Sequence, residues 1–352
     1  MNDSCGNISR ADTVHCHSQL VSLLSAWDEL LEEFRALGGT AQNIRLGVGE
    51  YGRGLFPIDS AKPVHVHVPD NLLPGVEDIV MQNGVPRIGP NAKANGRERA
   101  WLNRYLEEFA WGPGGVDEIH RKFEMAGQLP QELRNRLTTQ YRCGRWFEEP
   151  SERLIAIQFF TARSIAINGR PTIMPIVDLA NHGQGPSYDL SGGVTLHGSF
   201  AGEIVTNYAE HDSYDYFVTW GFATQRPLAF SVRLAGSIDA TAMEIGDAFE
   251  DTCPPPMVWV PQIDRTDSKV RLPFLLIGHR QSPRMPKGIF YRSMRDKGFK
   301  NVEETFDLIH HSNRLHFVNL LIDLEGIDVP IAHSLRTMAQ YQLRAMSFCY
   351  GA

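Results

Sequence analysis

Apolar residues recur at helical spacing near the start of this chain. Leu20, Leu23, Leu24, Trp27, Leu30, Leu31, Phe34 and Leu37 share one face, which predicts a helix over 18–37 that Gly38-Gly39 ends. Two short runs, 43–48 and 63–69, then read as strands. In the second, Val64, Val66 and Val68 alternate with His65 and His67, which places the histidines on a solvent face. A glycine-rich turn from Gly49 to Gly54 lies between the two runs. Trp101, Leu102, Tyr105, Leu106 and Phe109 make a second helical stripe, broken by Gly112-Pro113-Gly114-Gly115. Helical spacing continues over 119–125 and 133–141. Strand-like runs dominate 173–230, 251–286 is proline-rich and loop-like in places, and helices return at 302–324 and 331–348.

This order predicts an α+β fold of short strands with one helical insert and a helical C-terminal region. It does not fit a doubly wound sheet, where strands and helices alternate. The boundaries that follow are a flexible polar segment at 1–17, a domain at 18–235 with its insert at about 71–150, and a mainly helical region at 236–352 that binds a substrate or partner. No internal repeat or low-complexity run interrupts them.

Composition narrows the class. Hydrophobic residues make up 42% of the 352 and charged residues 21%, enough apolar material for a large core. A net charge of −7 argues against a dedicated nucleic-acid binder. Cys5, Cys16, Cys143, Cys253 and Cys349 are scattered and form no C-x-x-C pair, so neither a zinc cluster nor a disulfide framework is expected. His15-Cys16-His17 could bind a metal but lies in the flexible tail, whereas His310, His311 and His316 put no clean pair on one helix face and read as surface or interface residues. With no apolar span and no signal peptide at the N-terminus, the expectation is a cytoplasmic protein without a membrane partner.

Four separated segments carry the candidate chemistry. Tyr51-Gly52-Arg53-Gly54-Leu55-Phe56 would let backbone approach a ligand, or be a plain turn between strands. Ala162-Arg163-Ser164-Ile165 stands just before a strand. Asp178-Leu179-Ala180-Asn181-His182 sets a polar pair directly after an apolar run, where buried polar groups need partners or Asn serves a turn. Gly202-Glu203-Ile204-Val205-Thr206-Asn207-Tyr208 is followed by Trp220-Gly221-Phe222.

In this order the segments resemble the SET-domain methyltransferase family, in particular the branch containing the Rubisco large-subunit lysine methyltransferase. That branch carries a G-x-G-L turn, a long helical insert, S-R-x-F, D-x-x-N-H, G-E-x-x-x-x-Y and Y-G-F. The resemblance runs from about Trp27 to Phe222. It implies S-adenosyl-L-methionine as cofactor and no metal. It implies that Gly52, Arg53, Gly54 and Leu55 contact the methionine part and that Arg163 lies near its carboxylate. Asn181 would bond the amino group, the His182 backbone the adenine, and Phe222 would pack on the adenine ring. Tyr208 would be the catalytic tyrosine at the methyl-transfer channel, with Asp178, Tyr188 and Trp220 on the substrate side.

The implied activity is N-methylation of a protein or peptide side chain, lysine first. Histidine, a small-molecule acceptor and a catalytically silent SET-like binding module are the alternatives. Deprotonating a lysine at pH 7 costs roughly 4–5 kcal/mol, which a dry channel would lower. The sequence departs from the pattern at Tyr51, where the family often has Glu, and at Ala162, Ala209, Tyr214 and Trp220.

Overall fold

The structure is a computed structural model that describes residues 25–49, 52–82, 84–110, 112–208, 211–246 and 260–347. His15-Cys16-His17, Tyr51 and Ala209 lie outside the described residues. The chain divides into two compact units, one comprising Met1–Gly115 with Arg163–Ala209 and the other Val116–Ala162 with Glu210–Ala352.

In the first unit the predicted leading helix is described over 25–36, and its apolar face buries Trp27, Leu30, Leu31 and Phe34. A three-stranded antiparallel sheet has Val64–Val68 at its centre, flanked by Thr40–Gln42 and Val194–Gly198. Val64, Val66 and Val68 are buried, as the alternation predicts. The histidine face is only half open, because His67 Nδ1 lies 2.9 Å from Thr195 Oγ1 on the neighbouring strand.

The expected glycine turn is a strand for most of its length. Gly52–Pro57 pairs antiparallel with Ile44–Gly49, in register from Ile44 opposite Pro57 to Gly49 opposite Gly52. Gly52, Arg53, Gly54 and Leu55 therefore stand on a hairpin arm. Residues 71–95, read as part of a helical insert, carry a second hairpin, Ile79–Gln82 with Val85–Ile88. Helix follows at Gly96–Arg104, capped by the Asn95 side chain, which accepts from Arg97 and Glu98 amides. It continues into a π-helical turn, Tyr105–Ala110. Phe34, Trp101 and Tyr105 stack in sequence, with ring centroids 5.3 and 5.8 Å apart.

Most buried apolar residues described in the second unit form one large cluster, beside a small one of Leu228, Phe230 and Leu276. Helices Met285–Asp296, Val302–Asp323 and Pro330–Ser347 bury Phe290, Phe306, Phe317, Leu335 and Met338 with Val270 and Ile277 of neighbouring strands. Within 251–286, expected to be loop-like in places, the described residues from 260 on carry three short strands. Leu234–Ile238, Thr241–Ile245, Lys269–Leu272 and Asp264–Arg265 form a four-stranded sheet, and Leu276–His279 pairs with Leu228–Phe230. The region after 236 is thus a sheet followed by helices. Prolines and polar residues between short strands masked their period. Of the three histidines expected at the surface or an interface, His311 is exposed, His316 half-buried and His310 buried.

Candidate functional site

Within the first unit, sequence-distant segments meet around Asn181. Asn181-His182 is a two-residue strand paired parallel with Val205–Thr206, and Gly183 N donates to Thr206 O at 3.0 Å. The Asn181 amide nitrogen donates to Glu203 Oε1 at 2.5 Å and to the Arg53 carbonyl at 3.2 Å. Both partners are acceptors, which fixes which end of the amide is nitrogen. Asn181 Oδ1 takes part in no hydrogen bond among the described residues.

The glycines are required here. A Cβ on Gly54 would stand 2.7 Å from Asn181 Nδ2 and closer still to Glu203 Oε1. A Cβ on Gly49 would strike the other oxygen of the same Glu203 carboxylate. Gly52, at φ +91°, adopts a backbone that side chains disfavour. Leu55 is fully buried, so only its backbone faces the site; its carbonyl accepts from Ile204 N at 2.8 Å.

Arg53, Arg163 and Asp178 form a charged group beside this hairpin. The Arg53 guanidinium donates to the Phe109 carbonyl, and Arg163 approaches Asp178 Oδ2 at 3.5 Å, an ion pair rather than a hydrogen bond. Asp178, expected at the substrate channel, is enclosed instead: its side chain has 0% exposure. Tyr105 donates to its other oxygen. Burial raises the Asp178 carboxyl above the usual range against the pull of Arg163, Tyr105 and Arg53.

Tyr208 sits half-buried with its hydroxyl donating to the Ala180 carbonyl at 3.1 Å and its ring 5.3 Å from that of His182. Tyr188 reaches the Val177 carbonyl at 3.5 Å, a marginal contact.

Trp220 and Phe222 belong to the second unit. Trp220 ends a helix, Ser213–Trp220, that the strand-like reading of 173–230 overlooked. Asp212 caps its start and Gly221, left-handed at φ +74°, closes it. That Asp-to-Gly frame was readable; the aromatic run inside it suggested strand. Trp220 lies among Tyr216 at 4.8 Å, His211 at 6.1 Å and Phe222 at 6.4 Å between centroids. Tyr214, a departure from the family pattern, is spent on packing: its hydroxyl donates to the Tyr141 and Arg142 carbonyls.

In element order and composition the chain is α+β. Among solved structures it is similar to the SET domain of LSMT bound to lysine and AdoHcy. That likeness has a TM-score of 0.39 at 12% identity, over 92% of this chain and 89% of that one. It is also similar to Rubisco LSMT bound to sinefungin and monomethyllysine, with a TM-score of 0.40 at 13% identity, over 92% and 90%. No family model matches the chain, and no curated protein matches it. No group of three or more His, Cys, Asp or Glu suited to a metal occurs among the described residues. No described helix is long and apolar enough to cross a membrane.

Proposed function

We propose that this chain is an S-adenosylmethionine-dependent N-methyltransferase of the SET type acting on a protein side chain, lysine first. The observation that carries the reading is the Asn181 cradle. An asparagine from one segment is held by Glu203 of another, against a glycine of a third that leaves no room for a Cβ. These are the segments whose order resembles the family.

The residues fit the cofactor. With its nitrogen committed, Asn181 keeps Oδ1 to accept from the amino group of a methionine moiety. The Gly52 and Gly54 backbone permits close approach, and Arg163 supplies a guanidinium for a carboxylate. Bound there, the sulfonium would supply an electrophilic methyl group. Tyr208 would orient the acceptor amine, its hydroxyl tethered to the carbonyl that precedes Asn181. The adenine role of Phe222 and the channel roles of Tyr188 and Trp220 rest on the resemblance.

Calorimetric titration with S-adenosylmethionine tests the reading. The expectation is one site per chain, lost or weakened at least tenfold in Asn181→Ala; a wild-type protein that binds none would end it.

A further inference from the structure

We infer that Tyr105, on the helical insert, is a positioning residue for this site: it holds the Asp178 carboxylate, and through it the Arg163 guanidinium and the segment leading to Asn181. The inference rests on the methyltransferase reading and adds to it a residue outside the four motif segments.

Three observations support it. Tyr105 is fully buried and opens the π-helical turn Tyr105–Ala110. A π turn widens the helix locally and recurs at functional sites. From there the phenol donates to Asp178.

Ile176 is the second observation. Its φ of +70° and ψ of −56°, with Val177 N donating to Pro175 O at 2.9 Å, make a γ-turn in a conformation rare for a β-branched residue. Such backbone persists where its surroundings over-determine it. Asp178, the partner of the enclosed phenol, lies two residues on with its amide donating back across the turn to Met174 O at 3.0 Å, and the strained turn leads straight into Val177–Leu179, Ala180 and Asn181.

The third is the company of Asp178. The charged and titratable groups that face it are Tyr105 from the insert helix, Arg163 from the end of helix Glu152–Arg163, and Arg53 from the hairpin arm. Arg53 in turn donates to Phe109 in the same π turn. Both arginines proposed for the cofactor's methionine moiety are thereby referred to one six-residue turn of the insert. Without the phenol, the enclosed carboxyl loses a donor that favours its charged form, and protonated it releases Arg163.

The test is calorimetric titration of S-adenosylmethionine into wild type and Tyr105→Phe between about pH 5.5 and 8.5. Phenylalanine keeps the ring stacked on Trp101 and removes only the hydroxyl. The expected result is binding weakened roughly 10–100-fold, with the deficit growing toward acid pH. Affinity and pH dependence equal to wild type would overturn the inference while leaving the methyltransferase reading intact. A wild type that binds nothing would overturn both. Should Tyr105→Phe not fold, Asp178→Asn carries the test: the amide still accepts from Tyr105 but cannot pair with Arg163. A loss of at least tenfold with no acid limb is expected, and unchanged affinity would overturn the inference.

Discussion

At Gly54 the hydrogen that replaces a side chain faces Asn181 and Glu203 directly. Adding a methyl group there meets Asn181 Nδ2 at 2.7 Å and the Glu203 carboxylate. Gly54→Ala should lower stability by roughly 1–3 kcal/mol, the range for overpacking, and abolish S-adenosylmethionine binding by turning Asn181 aside. Urea unfolding and calorimetry on one preparation check both; a variant that binds normally would mean the cradle is not the ligand's seat. Tyr208 makes a separable prediction. Its hydroxyl donates to the Ala180 carbonyl, one residue before Asn181. Tyr208→Phe should bind cofactor within about twofold of wild type while kcat falls on the order of 10²-fold, as for loss of one oriented donor. Steady-state kinetics beside calorimetry separates the two, and loss of binding instead of turnover would contradict this role.

At the scale of elements, the helix Ser213–Trp220 is held at its C-terminus from two sides. Trp146 Nε1 donates to the Val218 carbonyl at 3.1 Å, and Lys122 Nζ to the Trp220 carbonyl at 3.0 Å. Carbonyls of a last turn lack intrahelical partners, and a cation there also suits the helix dipole. Trp146→Ala removes a buried indole and one of these bonds. It should cost about 3–5 kcal/mol in urea unfolding, and a cost under about 1 kcal/mol would show that the indole does not hold the turn.

His316 gives the helix Val302–Asp323 a pH dependence. Its ring is packed between Tyr141 at 5.1 Å and Phe317 at 5.0 Å, Nε2 has no hydrogen-bond partner among the described residues, and burial lowers its pKa to about 4. The folded state binds this proton less readily than the unfolded chain. Stability is therefore full above pH 6.5 and falls as pH drops toward 4, by up to about 3 kcal/mol from this residue. His316→Leu should flatten that part of the urea-midpoint curve between pH 6.5 and 4.5; an unchanged slope would assign the loss to other groups.

Elements were legible in the sequence where one period ran unbroken. The face of Trp27, Leu30 and Phe34 and the alternation at Val64, Val66 and Val68 appear as read. Strands of two to five residues, such as Lys269–Leu272 and Leu276–His279, offer too few positions for a period to declare itself. The helix Ser213–Trp220 was lost for the same reason, at eight residues rich in aromatics. The candidate site was legible as ordered motifs, but its internal bonds were not. Glu203 stood inside a quoted motif without a role, and Tyr105 read as one more core aromatic of a helical stripe. Only the fold brings Tyr105 to a residue 73 positions away.

At the scale of the whole molecule, the unit that carries Asn181 and Tyr208 is built from two stretches of chain far apart in sequence. The ligand should therefore stabilise that unit as a whole. At 100 times its Kd, S-adenosylmethionine would add roughly 2.7 kcal/mol, a rise of several degrees in the unit's unfolding midpoint, provided binding is confined to the folded form. The most direct measurement of the central claim is transfer of label. The protein is incubated with methyl-labelled S-adenosylmethionine and a fractionated lysate, and acid-precipitable protein and small molecules are counted separately. Label on lysine side chains in the protein fraction, cut on the order of 10²-fold in rate with Tyr208→Phe, is the predicted result. Label appearing only in the small-molecule fraction, or in neither, would contradict it.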